Sequence, residues 1–175
     1  MDLEDRLVRA TVLALRALFE LNASQIDPDL RLNALEGVEF EIGQMNDNEI
    51  RQFQHGLEAV RADGSDVVES LRLLSEQVAG PPFGSTEYVH GDVSDRLVSV
   101  LLAPCRVLLD LEPPLIDGLA QARAASLLLD ELDQLPVAGR AAVLAALDRL
   151  EASEPADAPF LSRLRDRLGW ATPLS

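Results

Sequence analysis

Lysine is absent from this 175-residue sequence, so all 15 of its basic residues are arginine. They stand against 30 acidic residues, which leaves a formal net charge of −15. Such acidity argues against nucleic acid or an anionic membrane as a partner, because both are polyanions that bind clustered basic side chains. It is compatible with a basic protein partner. The absence of lysine also makes the GxxxxGK phosphate-binding loop impossible.

Cysteine and histidine are scarce. The single cysteine, Cys105, excludes an internal disulfide and a cysteine-based metal cluster, and its apolar neighbours predict a buried thiol. His55 lies one helical turn from Arg51 and is expected on the surface. There is no HExxH motif, no Glu-x-x-His pair on an apolar helix face, no EF-hand pattern and no GxGxxG loop. We therefore expect neither a metal nor a cofactor.

Long hydrophobic runs and targeting signals are also lacking. The uncharged apolar stretches are far shorter than the roughly 18 residues of a membrane span. No basic, then apolar, then small-residue pattern opens the chain. Together with the single cysteine, these features predict a soluble protein in the reducing cytoplasm.

Aromatic residues make up only 4% of the sequence, whereas 47% of the residues are hydrophobic. The core must therefore consist mainly of leucine, valine and alanine, and such a composition favours helices. We predict an all-α fold, a single compact bundle of about eight helices in two layers over residues 1–175, with possible sub-lobes at 1–79 and 92–170. No fixed-period repeat is strong enough to indicate a solenoid, although proline-separated hairpins after Pro113 leave a HEAT-like stack as a minor alternative.

Capping residues and stop signals define the expected helices. Asp27 followed by Pro28 predicts a helix start, and Asn46 with Glu49 three residues later predicts a capping box. Apolar positions recur at helical spacing between such signals. The expected helices cover approximately residues 2–22, 28–45, 46–63, 65–79, 92–111, 113–135, 137–153 and 158–168.

Two segments give conflicting signals. Val38–Ile42 alternates apolar and acidic residues as a strand would, but we favour a helix because a lone strand has no partner elsewhere. The helix at 92–111 is apolar on most sides, which predicts the central helix of the bundle. Because Pro104 lies inside it, we expect a kink or a break around Leu101–Pro104.

The least regular stretch, GPPFGSTEYVHGD, covers residues 80–92. We interpret residues 80–91 as a connector that is longer than helix bundles usually need. Carboxylates close to His90 in sequence would orient it as a base, but no nucleophile accompanies it. The scarce side chains Phe83, Tyr88 and His90 are either displayed for a partner or folded back onto the core.

Acidic residues are densest around the second and third expected helices. Like charges at this spacing repel, and a basic partner would remove that cost, although an ordinary solvated helix face is the alternative. We predict a partner-binding surface formed by Glu36, Glu39, Phe40, Glu41, Asp47, Phe83, Tyr88 and His90.

The sequence therefore favours a non-enzymatic acidic helical module that binds a basic protein, in the manner of an inhibitor or an immunity protein. Acidic charge would accelerate the encounter, and a few aromatic side chains would hold the complex. Two alternatives remain open. One is a small helical enzyme that uses the loop around His90, and the other is a structural homo-oligomeric subunit joined through its leucine-rich helices.

Overall fold

The computed structural model describes residues 3–22, 24–62, 93–110 and 115–170. These ranges contain seven α-helices, which confirms the prediction of a compact all-α fold. Within them no strand is formed, and Ile26 and Ile116 make an isolated antiparallel bridge. The expected helix at 65–79 and the connector at 80–91 lie outside the described residues. The helices are α1 (Leu3–Glu20), α2 (Pro28–Gly43), α3 (Asp47–Ala62), α4 (Val93–Asp110), α5 (Gly118–Asp133), α6 (Val137–Ser153) and α7 (Ala158–Leu168).

The capping signals of α2 and α3 are confirmed. Asp27 Oδ1 accepts a hydrogen bond from the backbone N–H of Asp29 at 2.9 Å, and Pro28 is the first residue of α2. Asn46 Oδ1 accepts from the N–H of Glu49 at 3.1 Å, while Glu49 Oε2 accepts from the N–H of Asn46 at 2.8 Å. This reciprocal pair is the predicted capping box.

The segment Val38–Ile42 is helical, as favoured. It forms part of α2, and Val38 and Ile42 are both buried because residues four apart share one helix face. Of the kink or break expected near Pro104, the break is wrong, since α4 continues through the proline to Asp110, and the kink stays a prediction. The proline removes one backbone hydrogen bond, but apolar residues on both sides of it are buried, and that packing holds the helix together.

The expected start of α5 at the proline pair is also wrong. The helix begins at Gly118, and Asp117 is its N-cap, with Oδ1 accepting from the N–H of Ala120 at 2.8 Å. A short acidic cap therefore defines this start, as it does at α2. Pro136 does not end α5, which stops at Asp133, but precedes the first residue of α6.

Helices α1 and α4 form the centre of the bundle and pack against each other. Helix α4 also contacts α2, α3, α5, α6 and α7, which confirms it as the central helix, while α1 contacts α2, α3 and α5. Their buried leucines and valines include Leu7, Leu15, Leu97 and Leu108. Full burial of such a side chain contributes about 1.5–3 kcal/mol. None of the described helices combines the length and apolar character that crossing a bilayer requires.

The chain contains two copies of one three-helix unit, 90 positions apart. The first unit consists of α1, α2 and α3, and the second consists of α4, α5 and α6. The helix ends repeat as well, because the C-cap residues Gln44 and Gln134 donate their N–H groups to equivalent carbonyls. The helices of the first unit begin at Leu3, Pro28 and Asp47, and those of the second at Val93, Gly118 and Val137.

The two units exchange reciprocal contacts. Helix α1 packs on α5 of the other unit, and α4 packs on α2. At the bridge, the Asp27 N–H donates to the Leu115 carbonyl at 3.3 Å, and the Asp117 N–H donates to the Gln25 carbonyl at 2.6 Å. Such pairs are expected for units related by an approximate two-fold axis.

Candidate functional site

A cleft of about 340 Å³ lies between α2, α4, the end of α6 and the turn Pro155–Asp157. Its volume is at the lower end of the range for small-ligand sites, which is about 300–1,000 Å³. Its walls are largely apolar, and charged side chains stand at one side. The apolar wall includes Leu102, Ala103, Val107, Leu150 and Leu161.

Small residues line the contact between α2 and α4. A Cβ atom added at Gly37 would lie 3.0 Å from the Ala103 Cβ, so the two backbones approach closely there. Phe40 lies one turn further along α2 and is 65% exposed, although it lines the cleft. A large aromatic side chain is thus presented to solvent beside a concave surface.

The charged side of the cleft contains more carboxylates than arginines. Glu41 accepts a hydrogen bond from Arg96 Nη1 at 2.9 Å. Arg106 is ion-paired with Asp157, and its guanidinium carbon lies 4.9 Å from the centre of the Phe160 ring. Glu154 is the third carboxyl group and lies next to Asp157. With all groups ionised, three carboxylates face two guanidinium groups among the residues that the structure describes.

The two neighbouring carboxyl groups titrate in opposite directions. Partial burial raises the pKa of Glu154, and the hydrogen bond it donates to Asp157 and the charges of Asp157 and Glu41 act in the same direction. The hydrogen bond from Arg106 lowers the pKa of Asp157, against the effect of its own partial burial. The protonated form of Glu154 is therefore favoured relative to that of an ordinary glutamate.

Two of the predicted partner-binding residues lie at this cleft. Phe40 and Glu41 line it, whereas Glu36 and the half-buried Glu39 lie on the same helix outside the lining. Asp47 is exposed in the first turn of α3. The predicted residues Phe83, Tyr88 and His90 lie outside the described residues, so the catalytic alternative at His90 stays a hypothesis.

Sequence reasoning missed three charged residues of the cleft, Arg106, Glu154 and Asp157. Arg106 carries a signal, because it is the only charged residue from 97 to 109 in an apolar helix. An isolated arginine in such a run indicates a partner supplied by another element. Nothing in the sequence near Glu154 and Asp157 indicates that they meet Arg106.

The described histidine, His55, is 64% exposed at its side chain, as predicted for a surface residue. Its Nδ1 lies 3.2 Å from Oδ1 of the buried Asp5, across the contact of α1 with α3. The second unit has a related contact, in which Asp95, the equivalent of Asp5, pairs with Arg149 of α6. Because a side chain at the start of the first helix pairs with the third helix in both units, we interpret the Asp5–His55 pair as a structural contact between two helices.

Cys105 is buried in α4, as predicted, and burial raises its pKa to about 12. The thiol therefore stays protonated at neutral pH and is a poor nucleophile. Among the described residues, no group of three or more histidine, cysteine or carboxylate side chains could hold a metal ion.

Comparison of the chain with family models, curated proteins and solved structures gave no match. The chemistry of the cleft is therefore the basis for a functional assignment. An apolar wall, an exposed aromatic rim and surplus carboxylate can together bind a group that carries both methylenes and a positive charge.

Proposed function

We propose that the protein is a non-enzymatic binding module that holds a basic protein on one side of α2. We call this surface the Phe40 face, and it consists of Glu36, Glu39, Phe40 and Glu41. The observation that carries the proposal is the 65% exposure of Phe40 at the rim of the cleft. Phenylalanine is rare in this chain, and burying an exposed one releases apolar surface from water.

Each part of the Phe40 face has a role in such a complex. Phe40 supplies the apolar contact at the centre, and interface energy concentrates in residues of this kind. Glu36 and Glu39 lie within one turn of Phe40 and surround it with negative charge. That charge accelerates association with a positive surface and disfavours acidic competitors.

An inhibitor or immunity protein for a basic toxin is the form of this function that we favour. Such a protein needs a preformed acidic surface and no catalytic group, and the net charge of −15 suits a strongly basic partner. We further propose that it acts in the cytoplasm. The single cysteine, which is free and buried, is consistent with a reducing compartment.

Differential capture tests this proposal. The tagged chain is used to isolate partners from cells of its source, in parallel with the variant Glu36→Gln/Glu39→Gln/Phe40→Ala. A matched control, Glu58→Gln/Asp166→Asn/Leu119→Ala, also neutralises two acids and truncates one exposed apolar side chain, but does so elsewhere. Captured proteins are quantified by mass spectrometry, and the affinity of each candidate is then measured with purified components.

We expect a basic protein to be retained by the wild type and by the control. The Phe40-face variant should bind it at least about tenfold more weakly, which corresponds to about 1.4 kcal/mol. Equal affinities for the two variants would show that another surface binds the partner. An acidic partner would contradict the electrostatic part of the proposal.

A further inference from the structure

The cleft lies where α4 packs on α2, and its equivalent lies where α1 packs on α5, around Glu131. The place beside Glu41 is bordered by the small residues Gly37, Ser99 and Ala103. Counting 90 positions along the chain, the equivalent residues beside Glu131 are Leu127, Arg9 and Leu13. These three small residues thus correspond to large ones at the equivalent site, whereas the cleft residue Ala34 corresponds to another alanine, Ala124.

The equivalent glutamates differ in the number of arginines around them. Glu131 lies 3.5 Å from Nη1 of Arg6 and 3.2 Å from Nε of Arg9, and its side chain is only 6% exposed. Glu41 pairs with Arg96, the equivalent of Arg6, and is 23% exposed. Ser99 replaces Arg9 there, and its hydroxyl donates to the Asp95 carbonyl at 3.2 Å. Within the described part of the chain, the Glu41 site therefore has one guanidinium group fewer than the Glu131 site.

We infer that the cleft is a receptor for a guanidinium group, which an arginine side chain of the partner inserts beside Glu41 at the place Arg9 fills beside Glu131. This inference rests on the proposed function and names the chemistry of the partner at the same surface. The Glu131 site acts as an internal template, because it shows which group accompanies the glutamate–arginine pair that both sites contain.

The rest of the cleft suits this occupant. The methylenes of an arginine would lie along Leu102, Val107 and Leu161, and the ring of Phe40 could cover the planar guanidinium. The surplus carboxylate Glu154 would gain a cationic neighbour. The charge of Arg106 does not exclude the incoming guanidinium group, because Arg106 is ion-paired with Asp157 and stacks on the Phe160 ring. The planar guanidinium group of arginine matches carboxylate geometry better than the amine of lysine does, which favours arginine as the occupant.

A pair of small peptides tests the inference independently of any natural partner. N-acetyl-leucyl-arginine amide carries the guanidinium, and N-acetyl-leucyl-citrulline amide is its uncharged analogue of nearly equal shape. Each peptide is titrated into the full chain at low salt, and its binding is measured from the changes in the protein's NMR chemical shifts. We expect a dissociation constant on the order of 1 mM for the arginine peptide and binding at least about tenfold weaker for the citrulline peptide.

Exchanging residues between the units provides the decisive variants. Ser99→Arg should place the chain's own guanidinium beside Glu41 and weaken binding of the arginine peptide at least about tenfold, whereas Ser99→Ala should change it less than about twofold. Arg9→Ser alters the Glu131 site and should leave the peptide affinity unchanged. Phe40→Ala removes an exposed side chain, so folding is not at risk, and should weaken binding about threefold or more.

Three results would overturn the inference: equal binding of the arginine and citrulline peptides, unchanged binding by Ser99→Arg, or no binding of the arginine peptide up to about 20 mM. These results leave the proposed function standing if a basic partner still distinguishes the Phe40-face variant from its matched control. Conversely, the arginine peptide could bind at the cleft although no basic protein is captured. That result would support the arginine receptor and refute the proposed protein-binding module.

Discussion

Glu154 and Asp157 show how single side chains determine the charge of the cleft. They lie three residues apart, yet partial burial raises the pKa of Glu154, whereas the hydrogen bond from Arg106 lowers the pKa of Asp157. The sequence predicted Phe40 and Glu41 as binding residues, since an aromatic residue among acids is visible locally. It could not predict Arg106 as their neighbour, because only the packing of α4 beside α2 brings them together.

The raised pKa of Glu154 predicts a pH-dependent effect on stability. Ionised Glu154 is disfavoured in the folded protein, so Glu154→Gln should increase the free energy of unfolding at pH 7 by up to about 0.5 kcal/mol, a small value because water reaches this carboxyl. The gain should vanish below about pH 4, where the carboxyl is protonated in both states. Urea denaturation at the two pH values measures it. A gain of the same size at both would refute the electrostatic cause.

At the scale of helices, local signals and packing each determined part of the fold. Caps at Asp27 and Asn46 and the spacing of apolar residues correctly predicted α2 and α3. Packing decided two features against local expectation. Helix α4 continues through Pro104 because neighbouring helices enclose it, and α5 starts at Gly118 because Asp117 caps it.

Two glycines should respond oppositely to the same change. A Cβ at Gly56 would lie 2.7 Å from the Val8 Cγ2, at the contact of α3 with α1, and valine has little freedom to move away. Gly56→Ala should therefore destabilise the protein by about 1–3 kcal/mol through overpacking. Gly43 has no atom within 4 Å of its added Cβ, so Gly43→Ala should stabilise by up to about 1 kcal/mol.

Thermal and urea denaturation of both variants measure this difference. Because the substitution is identical, any general effect of alanine on helices appears in both. Stabilisation by Gly56→Ala would show that α1 and α3 are not packed as closely as the structure places them.

At the scale of the whole molecule, the dominant features are the repeated unit and the negative charge. The repeat was not predicted because few residues are shared between the units, although DRLV occurs at 5–8 and again at 95–98. Burial pattern and cap geometry are repeated where residue identity is not. This divergence leaves small residues beside Glu41, where the cleft lies, and places the larger Arg9 beside Glu131.

The net charge of −15 predicts salt-dependent binding of the basic partner. Exposed charge pairs are screened over about 10 Å at 0.1 M salt and about 3 Å at 1 M. Raising sodium chloride from about 0.05 to 0.5 M should weaken the complex at least about tenfold, chiefly through slower association. Stopped-flow association rates and calorimetry measure this dependence. An affinity that does not change with salt would contradict an acidic docking surface.

Hydrogen–deuterium exchange of the chain, with and without its captured basic partner, tests the central claim most directly. We expect slower exchange at residues 33–41 of α2 and 99–107 of α4, which contain most of the Phe40 face and of the cleft lining. The equivalent residues 123–131 of α5 and 9–17 of α1 serve as an internal control and should not change. Protection confined to the control segments, or to neither pair, would contradict the assignment of this surface.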